Sequence, residues 1–329
     1  MFVFEYNHTN YRDLLKALAA ALGAPFENDR LNFPKEMGSG FSELIEIQGG
    51  LQSIVFDYSL RAGHHLKRKK INHEFYTLWF IEILATNEVR IDIDNDSFHV
   101  NNAPFSSALL TSSLFDANYE MSADTIVKGV NILFDNEWLA AQLGLSSKSG
   151  LLHKYLALKA SRITTEPLDL EYKKLIQEVI DLVNGSEQFK QIAIQNRILQ
   201  LIERFFIRIA AKMEKSQAII QLSREDINRV MEVEALITRD VFSPAPYIAE
   251  LAKMVNISET KLKNNFKTVY GMPIYQYFQK ARMRAARDVL ETQKYSIKQV
   301  ALELGYTNLS NFSTAFKKEF GILPSELKS

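Results

Sequence analysis

Residues 296–324 read SIKQVALELGYTNLSNFSTAFKKEFGILP, and the spacing of their apolar side chains decides the fold of the C-terminal third. Ile297, Val300, Ala301 and Leu304 recur at i, i+3, i+4 and i+7, the pattern of a helix with one buried face. Gly305 ends that helix, because a residue without Cβ enters a left-handed turn at little cost. A second helix begins near Ser310, with Leu309, Phe312, Phe316 and Phe320 on its inner side, and Gly321 and Pro324 close it. Two short helices joined by a tight turn make a helix-turn-helix, whose second helix can lie in the major groove of DNA.

The same device is written once before, about fifty residues upstream. Residues 246–271 read PYIAELAKMVNISETKLKNNFKTVYG, with Ile248, Leu251, Ala252 and Val255 as the inner stripe of a first helix. Asn256 occupies the turn position that needs a left-handed residue, which Asn tolerates. Ser258 is the expected N-cap of the helix that follows, and Leu262 and Phe266 face inward. One such pattern is weak evidence, since any helical hairpin imitates it. Two copies about fifty residues apart, aligned at Ala252/Ala301, Phe266/Phe316 and Gly271/Gly321, are hard to obtain by chance. Between them IYQYFQKARMRAARDVLET, residues 274–292, has no internal Gly or Pro. As a helix it spans roughly 28 Å, near the 34 Å or so between successive major-groove faces.

Residues from about Arg224 to Lys328 resemble the DNA-binding domain of the AraC/XylS family of bacterial transcription regulators. The resemblance rests on VALELGYTNLSNFSTAFKKEFGILP and on the preceding KARMRAARDVLETQKYSI. The chain departs from the family at its end, where PSELKS replaces the usual proline, aromatic and arginine; this touches neither reading helix. The resemblance implies base contacts at Thr260, Lys263 and Asn264 in the first reading helix and at Ser310, Asn311 and Thr314 in the second. Hydroxyl, ammonium and amide groups at those positions can meet base edges. Lys261, Lys267, Lys317 and Lys318 on the same faces are expected at phosphates, together with Arg282, Arg284 and Arg287 of the intervening helix, where pairing with Asp288 or Glu291 competes. A solvated helix face is the bland alternative for each.

Charge is divided along the chain in keeping with this reading. The 39 bases and 39 acids cancel overall, but from Pro244 onward thirteen bases stand against seven acids, leaving the earlier part net acidic. A basic module on an acidic remainder suits a DNA reader attached to something that should not bind DNA. The chain has no cysteine, which excludes disulfides, Cys-ligated zinc and thiol chemistry and is compatible with a reducing cytoplasm. No apolar run reaches the eighteen or so residues of a membrane span, and Leu14 to Leu22 is too short for a signal peptide. The expectation is a cytoplasmic protein without membrane association.

The N-terminal half changes period. Residues 10–22 form a short helix with Leu14, Leu15, Leu18 and Leu22 on one side, and residues 23–40, rich in Pro and Gly, are expected to be an irregular lead-in. From Phe41 the period is two: Leu44, Ile45 and Ile47, then Ile54, Phe56, Tyr58 and Leu60, then Tyr76, Leu78 and Phe80, then Val89, Ile91 and Ile93. Val127 to Leu133 returns as a strand before a helix from Asn136. Close-spaced strands without helices between them suggest a sandwich or barrel, and the resemblance favours a cupin-like sensory domain. Residues 168–215 are helical again, as one helix ending at Asn184-Gly185 and a longer one from Ser186, which includes Phe189, Ile192 and Leu199 in a broad apolar face. Family members commonly dimerise through such a pair; packing on the strand domain is the other reading. Ser223 with Glu225 and Asp226 marks the start of the next helix.

The predicted fold class is therefore α+β: a cupin-like β-sandwich or barrel over residues 1–150, a helical linker or dimerisation region over 151–222, and an all-α domain of two helix-turn-helix units joined by a long helix over 223–329. His64, His65, His73 and His99, with Glu74 nearby, contain imidazoles and a carboxylate suited to a divalent metal. The HxH spacing of a cupin site is missing, however, and the Lys67 to Lys70 run beside His64 and His65 reads as an exposed basic loop, so no metal or other cofactor is assigned. Phe56, Tyr58, Trp79 and Phe80 are candidates to line an effector cavity, although core packing explains them equally well. The function expected is a dimeric, effector-responsive activator without catalytic residues, whose partners are double-stranded DNA, a small molecule and, for an activator, RNA polymerase. An adaptor without effector, or a cupin-type metalloenzyme fused to a DNA-binding module, are the alternatives.

Overall fold

The structure is a computed structural model that describes residues 1–84, 88–94, 96–100, 104–143, 165–186, 188–215 and 222–328. It divides into two compact units, residues 1–220 and 221–329. The first opens with strand β1 (Phe2–Tyr6) and helix α1 (Tyr11–Leu22), which Asn10 caps by accepting from the Asp13 amide. The expected irregular lead-in instead contains β2 (Phe26–Glu27), β3 (Arg30–Asn32) and the start of β4 (Gly38–Ile47). These short strands pair as hairpins on the edge of a sheet, where few residues suffice and no alternation is written. The strands β5 (Leu51–Leu60), β6 (His64–Arg68), β7 (Phe75–Leu84), β8 (Val89–Ile93) and β9 (Asp96–Val100) follow. After them come β10 (Phe105–Ser112), β11 (Ala117–Met121), β12 (Ile126–Asp135), α2 (Asn136–Leu143) and β13 (Thr165–Pro167).

Two sheets result among the described residues. One runs β1-β6-β11-β8-β9, and the other β13-β10-β7-β12-β5-β4-β3-β2. Turns with left-handed backbone at Gly49 and Gly50, both at φ 83, join β4 to β5. The larger sheet has two apolar faces. On β7, Tyr76, Leu78 and Phe80 share a core with α3 (Leu170–Asn184) and α4 (Lys190–Lys215), while Phe75, Thr77 and Trp79 face a cavity on the other side. The same division runs through β5 and β12, where Val55, Val130 and Ile132 pack under the helices and Ile54, Phe56, Tyr58 and Asn131 face the cavity. Strand geometry sends successive side chains to opposite faces, so a sheet covered on both sides needs apolar residues at nearly every position.

Helices α3 and α4 thus share one core with the sheet, through rings such as Phe80 against Tyr172 and Phe205. Asp169 caps α3, and Arg204 and Arg208 of α4 both reach its carboxylate, at 2.8 and 3.0 Å. Helix α4 begins at Lys190 and not at Ser186, because Phe189 takes a left-handed backbone at φ 68 and leaves its ring exposed. Ile192 and Leu199, part of the broad apolar face read from the sequence, are exposed as well.

The second unit consists of α5 (Arg224–Arg239), α6 (Ile248–Met254), α7 (Glu259–Tyr270), α8 (Ile274–Glu291), α9 (Ile297–Glu303) and α10 (Leu309–Phe320), closed by a 3-10 turn at Pro324–Lys328. Its centre is α8. One end buries Tyr277 against Phe266 and Tyr270 of α7, and the other buries Met283, Ala286 and Leu290 against Val300, Leu304, Phe312 and Phe316 of the last two helices. Among the described residues no helix is long and apolar enough to cross a membrane.

Candidate nucleic-acid interface

The two helix pairs α6–α7 and α9–α10 are built alike, with one more residue in the second turn. Ala252 and Ala301, 3% and 2% exposed, let the helices of each pair approach closely. Asn256 at φ 53 and Gly305 at φ 72 supply the left-handed residue of each turn. The second helix of each pair is capped by a side chain that accepts from its first turn, Ser258 from the Lys261 amide and Asn308 from the Ser310 amide. Leu262 and Phe266 in α7, and Phe312 and Phe316 in α10, are fully buried. Gly271 and Gly321, both at φ 76, close the two helices. Leu309, assigned from the sequence to the inner face of α10, is instead exposed, as the first residue of the helix, three before the first buried ring at Phe312.

Burial of one stripe fixes what the opposite face presents. On α7 this face carries Thr260, Lys261, Lys263, Asn264 and Lys267, all exposed; on α10 it carries Ser310, Asn311, Thr314, Lys317 and Lys318, also exposed. Several of these groups have partners of their own. Lys261 meets Asp226 of α5 at 2.8 Å, which holds that carboxyl below its usual range, and Lys263 lies 3.5 Å from Glu259. The Thr314 hydroxyl donates to the Ser310 carbonyl at 2.8 Å, so toward a base it offers lone pairs rather than its proton.

For the α8 arginines the sequence left phosphate contact and internal pairing open, and Arg282 and Arg287 have internal partners. Arg282 donates to the carbonyls of Val241 and Leu304 and lies over the Phe278 ring, so it ties α8 to both of its neighbours. Arg287 pairs with Glu291 at 2.6 Å above the Phe320 ring, and Arg284 is half-buried. A guanidinium satisfied by carbonyls and stacked on a ring has few donors left for phosphate.

In the first unit the structure brings Phe56, Tyr58 and Trp79 together on one cavity wall, while Phe80 points the other way, into the helical core. Of the basic run Lys67 to Lys70 expected as a loop, Lys67 and Arg68 end strand β6 and Lys69 and Lys70 follow it, exposed. The strand pairs with β1 and β11, and its alternation buries His64 and Arg68 beside the cavity while Lys67 lies half-buried on the opposite face. Burial and the neighbouring His65 push the His64 imidazole down to about 4. His73 accepts at its carbonyl from the Ser113 hydroxyl, His99 pairs with Glu88, and Glu74 bonds Tyr76 and Asn136. No group of three metal-ligating side chains occurs among the described residues. Sequence reading missed Arg68 because four consecutive bases mask the period-two signal of His64, Leu66 and Arg68.

A tandem helix-turn-helix unit with two exposed polar faces defines a DNA-reading domain. A family profile described as "Helix-turn-helix domain" matches residues 251–329, and the C-terminal unit is an AraC-type helix-turn-helix domain. Among curated proteins, the chain is 24% identical over 168 residues to the HTH-type transcriptional activator RhaR of Mannheimia succiniciproducens, covering 50% of this chain and 60% of that one. It is 31% identical over 81 residues to the Msm operon regulatory protein of Streptococcus mutans, 25% of this chain and 29% of the relative. The chain thus spans less than two thirds of these relatives. Among solved structures, fatty acid-bound ToxT from Vibrio cholerae aligns over 83% of this chain and 94% of its own, at 18% identity and a TM-score of 0.31. The DNA-bound domain of AdpA aligns over 30% and 87%, at 22% identity and a TM-score of 0.28.

Proposed function

We propose that this protein is a sequence-specific DNA-binding transcription regulator, an activator that works as a homodimer and responds to a small molecule held in its N-terminal cavity. The observation that carries the reading is the repetition of one capped, glycine-closed helix at α7 and α10, each exposing hydroxyl, amide and lysine groups. Thr260, Lys263, Asn264, Ser310, Asn311 and Thr314 read bases. Lys261, Lys267, Lys317 and Lys318 meet phosphates and supply the salt-dependent share of affinity. Activation, with RNA polymerase as partner, is supported by the likeness to RhaR, which is named an activator. Work on DNA requires a cytoplasmic location.

Dimerisation is supported by α4. Ile192, Leu199 and Ile207 are exposed on it, at 69%, 44% and 60%, and follow the seven- to eight-residue spacing of a helix seam. An effector bound in the cavity biases the protein between arrangements that bind DNA differently. Selection of bound fragments from genomic DNA, followed by transcription in vitro from the promoters recovered, tests the proposal. Enrichment of discrete sites and stimulated transcription are expected. Uniform recovery of all fragments would reduce the protein to a non-specific binder.

A further inference from the structure

The cavity of the first unit has a lining of unusual chemistry. It is walled by β1, α1, β5 and β7, chiefly through aromatic and leucine side chains, and no Asp or Glu is among its lining residues. Its volume of about 90 Å³ is several times the ~10–15 Å³ that one water requires on the same measure. By that scale it admits a ligand of roughly 200 Å³.

Arg68 stands in this wall at 5% exposure. Its guanidinium donates to the Thr77 and Thr111 hydroxyls at 3.1 and 2.9 Å and to the carbonyls of Ser112 and Phe115 at 2.7 and 3.4 Å. All four acceptors are neutral, and no carboxylate of the described residues forms a salt bridge with Arg68. The Arg68 Nε proton has no acceptor, and neither has the indole Nε1 proton of Trp79 in the same wall. Guanidinium does not shed its charge, so burial leaves a permanent cation without a counter-ion. A surplus of buried donors beside a buried cation calls for a group that only accepts and carries negative charge. The apolar walls call for a hydrocarbon body attached to it.

We propose that the cavity takes an apolar organic monocarboxylate, with its hydrocarbon part against Phe56, Tyr58 and the α1 leucines and its carboxylate against Arg68 and Trp79. A dianion such as phosphate would need more donors than these, and an amine would meet like charge. This assignment rests on reading the cavity as the effector site and names the class of molecule that fills it.

The test uses the full chain and two pairs of probes matched in size, octanoate with 1-octanol and 3-phenylpropanoate with 3-phenylpropan-1-ol. Thermal unfolding and titration calorimetry follow binding, since a ligand seen only by the folded state raises Tm. At least one acid is expected to bind ten times or more tightly than its alcohol. Arg68→Lys should retain that preference and Arg68→Met should lose it; if Arg68→Met does not fold, the comparison in the unaltered protein decides. Alcohols that bind as well as the acids, or acids that both fail to bind, overturn the proposal. DNA binding is measured in the same preparations with and without acid. Acid binding that leaves DNA binding unchanged removes the effector reading and keeps the ligand class, whereas loss of acid preference with intact site-specific DNA binding removes the ligand class alone.

Discussion

The Tyr277 hydroxyl donates to the Glu234 carboxylate across 2.9 Å, joining α8 to α5 within the C-terminal unit. Both residues are 1% exposed, and the Tyr277 ring also packs on Phe266 and Tyr270 of the first reading helix. Tyr277→Phe keeps the ring and removes the bond. It should destabilise the unit by about 1–3 kcal/mol, read as a lower denaturation midpoint with an unchanged slope.

The proposed division between base and phosphate contacts separates by salt dependence. Asn264→Ala or Lys263→Ala should relax sequence preference, at about 1–3 kcal/mol for the cognate site. Lys317→Ala should weaken all sequences alike and reduce the slope of log affinity against log salt by about one. Equal slopes for Lys317→Ala and the unaltered protein would remove Lys317 from the phosphate set.

His64 makes the first unit sensitive to acid. Its imidazole titrates at about 4 in the folded protein, below the ordinary value of about 6.5. Between those values the unfolded chain binds the extra proton, so stability is intact above pH ~6.5 and falls toward pH ~4. The loss is on the order of 3 kcal/mol. Thermal unfolding from pH 7 to 4 should show this fall, and His64→Gln should flatten it.

The exposed α4 seam gives the proposed dimer its test. Leu199→Glu puts a charge in a stripe that the fold itself does not bury, so the monomer should keep its stability while the dimer dissociates at tenfold or higher concentration in sedimentation equilibrium. A dimer unaffected by Leu199→Glu would move the interface elsewhere.

How far the residues alone led depends on whether one period governs a stretch. The helix pairs were legible because Ala252, Phe266 and Gly271 repeat at Ala301, Phe316 and Gly321 and a single buried stripe fixes the outer face. Strands β5 and β7 were legible as strands, yet which of their faces borders the cavity was not: Trp79 and Phe80 are equally apolar, and only the helices packed over Phe80 separate them. Strand β6 was lost under its own charges, since a buried Arg68 and a half-buried Lys67 look alike in a sequence. Arg282 and Arg287 likewise count as bases on a linker helix until the carbonyls of Val241 and Leu304 and the Glu291 carboxylate take them up. The exposure of Phe189 follows from one left-handed residue that no periodicity announces.

Helix α8, eighteen residues and roughly 27 Å long, carries a reading helix at either end. Methylation-protection footprinting on a genomic fragment selected by the full protein therefore tests the account most directly. Two protected major-groove segments about 10 base pairs apart on one face of the duplex are predicted for each bound chain, with Asn264→Ala erasing one segment and Asn311→Ala the other. A single protected segment, unaltered by either substitution, would contradict it.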